Sequence, residues 1–212
     1  MLERTSPSSE PRLSRRHLVA GAAWAAPVVA IAVAAPARAA STECTPQAAA
    51  QITTAWRFNG NITNWTLARS PANAPNVGYS ASYQGQGPNS VSNAAVLDAD
   101  PLAVASTTSL SNTACFGPGT YTFTYTGRAW TTNTRTLTLT GRVVSDAAPG
   151  TTLATDTFTT ATNTTTFTRT LTVTIPVRTR LRFTYAWGFT AGSASQTGDD
   201  IGVGAPAVAK TA

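Results

Sequence analysis

The chain reads as an all-β protein, an antiparallel β-sandwich of jelly-roll-like type that follows an N-terminal signal segment. Three observations point there. Apolar residues alternate with threonine at period two in several segments, most regularly in Thr120-Tyr121-Thr122-Phe123-Thr124-Tyr125-Thr126, and period two is the pattern of a half-buried strand. Gly, Pro, Asn and Asp punctuate these segments at short intervals, as turns require. Charged residues make up only 11% of the chain, and no long stretch of the mature region carries helical periodicity.

Taken in order, the stretch 46–55 is rich in Ala and Gln and offers a short helix before Trp56, overlapping a strand candidate at 52–58. Strand candidates follow at 62–69, 77–83 and 93–97. The segment 70–92 is dense in Pro, Gly, Asn and Ser and reads as loop with one edge strand. From residue 120 the signal strengthens. Tyr121, Phe123 and Tyr125 share one face; Leu137, Leu139 and Val143 share a face of 135–144. Phe167, Leu171, Val173 and Ile175 share a face of 165–175. Leu181, Phe183, Tyr185, Trp187 and Phe189 share a face of 180–189. Further candidates lie at 151–158 and 200–205. Half-buried strands of this kind need a second sheet to cover their apolar faces.

Residues 1–40 read differently. Arg12, Arg15 and Arg16 precede a mildly apolar run from Leu18 to Ala35, and Ala37-Arg38-Ala39 closes it. A basic start, an apolar middle and a small-residue cut site define a secretory leader. The pair Arg15-Arg16, with Ser14 before it and Leu18-Val19 after it, points to twin-arginine export, with cleavage after Ala39. A leader left uncleaved would be the chain's one route to a membrane. The expected organisation is a signal peptide over 1–40 and a single sandwich domain over 41–212. The product is expected to be secreted and extracellular, a location that also allows association with the cell surface.

Losing the leader changes what chemistry is available. The only histidine is His17, within it, so the mature chain has none, which excludes a Ser-His-Asp triad, a Cys-His dyad and His-ligated metals. The mature part keeps ten basic and seven acidic residues. That surplus is too small and too dispersed to predict a nucleic-acid partner. Cys44 and Cys115 are the only cysteines and are expected to pair outside the cell. The bridge would close about 72 residues, a constraint on the unfolded chain of roughly 4 kcal/mol. The only mature Glu is Glu43, too few carboxylates of the right kind for glycoside hydrolysis. The protein is therefore expected not to be an enzyme and to carry no cofactor.

Two resemblances add to this reading. The leader, with Gly21-Ala22-Ala23-Trp24-Ala25-Ala26-Pro27 and Ala34-Ala35-Pro36-Ala37, resembles those of secreted actinobacterial proteins. The ending Gly198-Asp199-Asp200-Ile201-Gly202-Val203, with Pro118-Gly119-Thr120-Tyr121 entering a strand and Arg128 beyond it, resembles jelly-roll carbohydrate-binding and galactose-binding-like modules over roughly 115–205. That resemblance implies a β-sandwich and, less directly, sugar binding.

The candidate sites follow from side-chain chemistry. Flat aromatic rings stack on sugar faces, so Trp130, Trp65, Tyr79 and Tyr83 are ligand-binding candidates, Trp130 foremost because it stands near a strand end. Trp187 belongs with the core. Asp199 and Asp200 offer oxygen ligands for calcium. Arg178, Arg180 and Arg182 alternate along one strand face and would meet an anionic polymer or solubilise an exposed strand. The expected function is non-catalytic binding of a glycan or cell-envelope polymer; the alternative is a structural or adhesive surface protein acting through protein contacts.

Overall fold

A computed structural model describes residues 44–84, 89–98, 105–131, 136–146, 151–191 and 199–212. The predicted leader lies outside the described residues. Among them no helix is long and apolar enough to cross a membrane.

The expected sandwich is present. Among the described residues one helix, α1 (Ala49–Trp56), precedes eleven strands: β1 (Thr66–Ser70), β2 (Val77–Tyr83), β3 (Val91–Asp98), β4 (Ser106–Phe116), β5 (Gly119–Thr131), β6 (Leu137–Ser145), β7 (Thr151–Thr160), β8 (Phe167–Ile175), β9 (Thr179–Phe189), β10 (Asp199–Gly204) and β11 (Ala207–Lys210). Sheet I has the order β1-β4-β9-β6-β7. In sheet II, β5 is the long central strand. Its one edge pairs with β8; its other edge pairs first with β11 and then with β10. β10 leads on to β3 and β3 to β2. The ladders of both sheets are antiparallel.

The alternation seen in the sequence decides which residues meet. Leu181, Phe183, Tyr185, Trp187 and Phe189 of β9, Leu137, Leu139 and Val143 of β6, Tyr121, Phe123 and Tyr125 of β5, and Leu171, Val173 and Ile175 of β8 are all buried in one cluster between the sheets. Aromatic rings fill its centre. Phe123 stacks on Phe183 across the sandwich at 5.8 Å between centroids, and Tyr125 meets Tyr185 edge-on at 5.1 Å. These spacings fall in the favourable range for ring pairs.

The N-terminal part departs from the strand expectation at 52–58. There α1 forms, with the Ala48 backbone N–H donating to the Gln51 side chain at 3.0 Å, which satisfies one of the donors a helix start leaves open. Eight residues are too few to be stable alone; burial of Ile52 and Trp56 and exchange of two hydrogen bonds between Thr53 Oγ1 and the backbone of Val208 hold the helix on β11. The Cys44–Cys115 disulfide is formed and joins the segment before α1 to the end of β4.

Two strands lie outside the sequence expectation. β4 reads Ser-Thr-Thr-Ser-Leu-Ser-Asn-Thr before its apolar end, so hydroxyls hide its alternation. Ser106 and Thr108 are nevertheless buried, and Thr108 Oγ1 donates to the Pro75 carbonyl at 2.8 Å. β11 is four residues long. It packs beside the turn into β5, where Gly119 has φ +144 and a Cβ would stand 2.4 Å from Lys210 Cε.

At the open side of the sandwich, edge strands β7 and β8 face each other. Phe158 stacks on Phe167 at 4.2 Å, Arg169 lies over both rings, and its guanidinium pairs with Asp156 at 3.6 Å.

Candidate ligand-binding face

The outer face of sheet II brings aromatic, acidic and basic side chains together. Because side chains alternate, each buried residue of β5, β10 and β3 leaves its neighbour pointing outward. The ladder registers then place Trp130, Asp200 and Asp98 in one row across three strands, and Arg128, Gly202 and Val96 in the next. Thr126, Gly204 and Ala94 continue the series.

Tyr83, at the end of β2, turns its ring onto this face. The floor beneath it is Gly202, where a Cβ would lie 2.3 Å from Tyr83 Cδ1, so only glycine admits the ring. Tyr83 packs with Val91 and Ala94, and Trp130 and Val96 lean against that group. Burial pushes the Tyr83 hydroxyl well above its ordinary value, and the Asp200 carboxylate adds to the effect by disfavouring a second negative charge. Arg128 ties the arrangement together. Its guanidinium lies 5.7 Å from the Trp130 ring centroid, a cation–π spacing. It donates to the carbonyls of Gln84, Asn89 and Thr164. The chain on either side of residues 85–88 is thereby anchored to the sheet.

Nearer the other end of the same sheet, a groove of about 480 Å³ is lined by Arg57, Asn59, Asn93, Thr126 and Gly204 among others. Asn93 there accepts a hydrogen bond from the Tyr79 hydroxyl at 2.6 Å.

The sequence-based candidates separate on this structure. Trp130 is half-buried on the outer face, and Tyr83 is buried beside it. Tyr79 is half-buried, packed against the main core, with only its hydroxyl at the groove. Trp65 is not a surface residue. It is 6% exposed, lies between Trp56 at 5.8 Å and Tyr185 at 6.0 Å, and its Nε1 donates to the Trp56 carbonyl at 2.9 Å. The neighbouring Asn and Thr suggest exposure, but the segment folds inward under α1. Trp187 is in the core as expected, donating to the Ile201 carbonyl at 3.0 Å.

Asp199 and Asp200 occupy opposite faces of β10. Asp199 is fully buried and accepts from Thr131 Oγ1 at 2.5 Å; Asp200 lies on the outer face between Trp130 and Asp98. Consecutive strand residues diverge, so the two carboxylates do not converge on one ion. Among the described residues no group of three or more His, Cys, Asp or Glu could hold a metal. Arg128 and Gly202 enter the sequence reading only through the jelly-roll resemblance, and neither is among its site candidates. A glycine in a strand interior is itself a sign of close approach by another group.

No family model matches the chain, and no curated protein matches it. Solved structures match over most of the chain at low identity. A family 61 carbohydrate-binding module in complex with β-1,4-galactotriose is 14% identical, with 72% of this chain and 92% of that chain covered and a TM-score of 0.46. A family 16 carbohydrate-binding module is 11% identical, covering 73% and 96%, with a TM-score of 0.46. The cleaved adhesin domain of Lys-gingipain from Porphyromonas gingivalis is 14% identical, covering 73% and 97%, with a TM-score of 0.45.

Proposed function

We propose that this protein is an exported, non-catalytic β-sandwich that binds a glycan on the outer face of sheet II. One observation carries the reading: a half-buried indole, Trp130, held against a guanidinium and placed in one row with two carboxylates, Asp200 and Asp98. A fixed ring supplies the apolar surface on which a sugar face stacks, and charged groups beside it accept and donate hydrogen bonds to hydroxyls. Placement on paired strands makes the geometry rigid before the ligand arrives, which lowers the entropy cost of binding. Stacking and hydrogen bonding of this kind need no metal. The Cys44–Cys115 bridge supports an oxidising, extracellular destination. In that setting a cell-envelope glycan is the natural partner.

The test is retention of the full chain on immobilised neutral glycans and on cell-wall fractions freed of anionic polymer. Parent protein is expected to be retained, and Trp130→Ala to lose retention while its far-UV circular dichroism stays that of a β-sandwich. Absence of retention on every fraction would remove the reading. Equal retention of parent and Trp130→Ala would move the site elsewhere on the domain.

A further inference from the structure

The opposite outer face, that of sheet I, has a different chemistry. Alternation turns Arg180 and Arg182 of β9 and Arg142 of β6 outward, and all three are exposed. In the register Arg142 faces Thr184 and Arg182 faces Val144, so Arg142 and Arg182 are diagonal neighbours and Arg180 continues the row along β9. Two-residue steps on a strand place successive guanidinium stems roughly 6–7 Å apart. Arg178 is exposed in the turn that enters β9. Among the described residues, the carboxylate near this stripe is Asp146, which pairs with Arg182 and whose backbone N–H donates to the Arg180 carbonyl at 2.9 Å. The remaining described carboxylates lie elsewhere: Asp98 and Asp200 on the outer face of sheet II, Asp199 in the interior, Asp156 at the β7–β8 seam. Beside Arg180 opens a groove of about 380 Å³, lined by Thr45, Gln47 and Thr113 and bounded by the disulfide.

We propose that this face is a second binding surface, for a linear polyol polymer carrying phosphodiester groups. Charge complementarity selects a polyanion: among the described residues, three outward arginines stand against one acid. Arginine is the cation whose planar fork matches the oxygens of a phosphate. The guanidinium spacing is of the same order as that of successive phosphates in an extended polyol phosphate chain. The hydroxyls of Thr113, opposite Arg182 on β4, and of Thr184, opposite Arg142, flank the arginines and supply donors to a polar, hydroxyl-bearing chain. The strands that form the stripe turn no aromatic outward there: β6 and the arginine-bearing end of β9 present Thr, Arg, Val and Ala. A single-stranded nucleic acid therefore lacks the ring platform on which its bases would stack. The proposal is independent of the Trp130 reading, since it uses the other sheet and another class of interaction.

The experiment is affinity of the full chain for soluble poly(glycerol phosphate) over a range of salt, compared with single-stranded DNA of equal phosphate number. Leader arginines are common to every variant, so the comparison between variants isolates the face. Arg142→Gln/Arg180→Gln is expected to bind poly(glycerol phosphate) about tenfold more weakly and to lower the slope of log affinity against log salt by about 1.5. Lys210→Gln, which removes a positive charge elsewhere, is expected to match the parent. Both variants change exposed side chains, and an unchanged thermal midpoint shows that the fold is intact. The proposal fails if the double variant binds like the parent, if parent binding is independent of salt, or if DNA binds as tightly and with the same dependence on Arg142 and Arg180. Failure here with Trp130-dependent glycan retention preserved would dismiss this face alone.

Discussion

The two outer faces of the sandwich are built from the same alternation and the same abundance of threonine, yet they present opposite surfaces. On sheet II, Tyr83 and the segments on either side of residues 85–88 are folded back over the strands, and Gly202 and Gly204 leave room for them. The result is an aromatic and acidic patch with depth. On sheet I nothing comparable among the described residues crosses β9, and the arginines stand directly in solvent. The difference comes less from strand composition than from where a neighbouring segment lies. A glycine under an aromatic ring marks a covered face; a glycine under nothing marks an open one.

The aromatic residues test this contrast most strongly. Trp65→Ala removes a core indole and is expected to cost about 3–5 kcal/mol of unfolding free energy with no direct effect on any ligand. Trp130→Ala is expected to cost less than about 2 kcal/mol and to abolish glycan retention. Chemical denaturation run alongside the retention assay separates the two, and equal stability losses would erase the distinction between core and face. Breaking the covalent tie comes next. Cys44→Ser with Cys115→Ser is expected to destabilise by about 2–5 kcal/mol, read as a fall in thermal midpoint that reducing agent reproduces in the parent.

A smaller effect compares the glycines. Gly202→Ala drives a methyl into the Tyr83 ring and is expected to cost about 1–3 kcal/mol. Gly188→Ala, on the outer face of sheet I, meets only Thr138 Cβ at 3.6 Å, an ordinary contact, so its effect is expected within about 0.5 kcal/mol. If the two substitutions behaved alike, the covered and open faces would not differ as described.

The smallest effect emerges only in alkali. Burial, first among the causes at each, raises the hydroxyls of Tyr83, Tyr125 and Tyr185 above their ordinary value; Asp200 adds to it at Tyr83, Asp156 at Tyr125 and the neighbouring Tyr125 at Tyr185. Phenols raised in the fold stay neutral while the same groups in the unfolded chain lose protons from about pH 10. Stability from these groups is thus complete below that pH and falls as pH rises beyond it. Tyrosinate absorbance is expected to rise in step with unfolding, and Tyr83→Phe to blunt the alkaline loss. Full phenol ionisation in a still-folded protein would contradict the burial of these rings.

Strands with strong alternation are legible in the sequence alone. β5, β6, β8 and β9 carry their apolar residues on the faces that the spacing names, because a side-chain period of two leaves one consistent way to bury them. The disulfide is legible from composition. β4 is not, since Ser and Thr alternate with each other as readily as with apolar residues; Thr108 is buried opposite Trp187, with its hydroxyl satisfied by the Pro75 carbonyl. The helix at 49–56 is half legible; its Ala and Gln favour a helix, while Trp56 is ordered by the core rather than by local propensity. Of the candidate site, Trp130 stands out by its position near a strand end, whereas the polar neighbours of Trp65 give a false signal of exposure.

What the sequence by itself determined is the alternation, and with it the sandwich, its inner aromatic faces and the pairing of two cysteines, because these depend on local periodicity and on residue counts. Only the tertiary structure decided which outward residues became neighbours. Trp130, Asp200 and Asp98 are far apart in the chain and share a row through ladder register. Asp199, next to Asp200 in the chain, belongs to the interior. Register is set by the packing of whole sheets, and no single segment contains it.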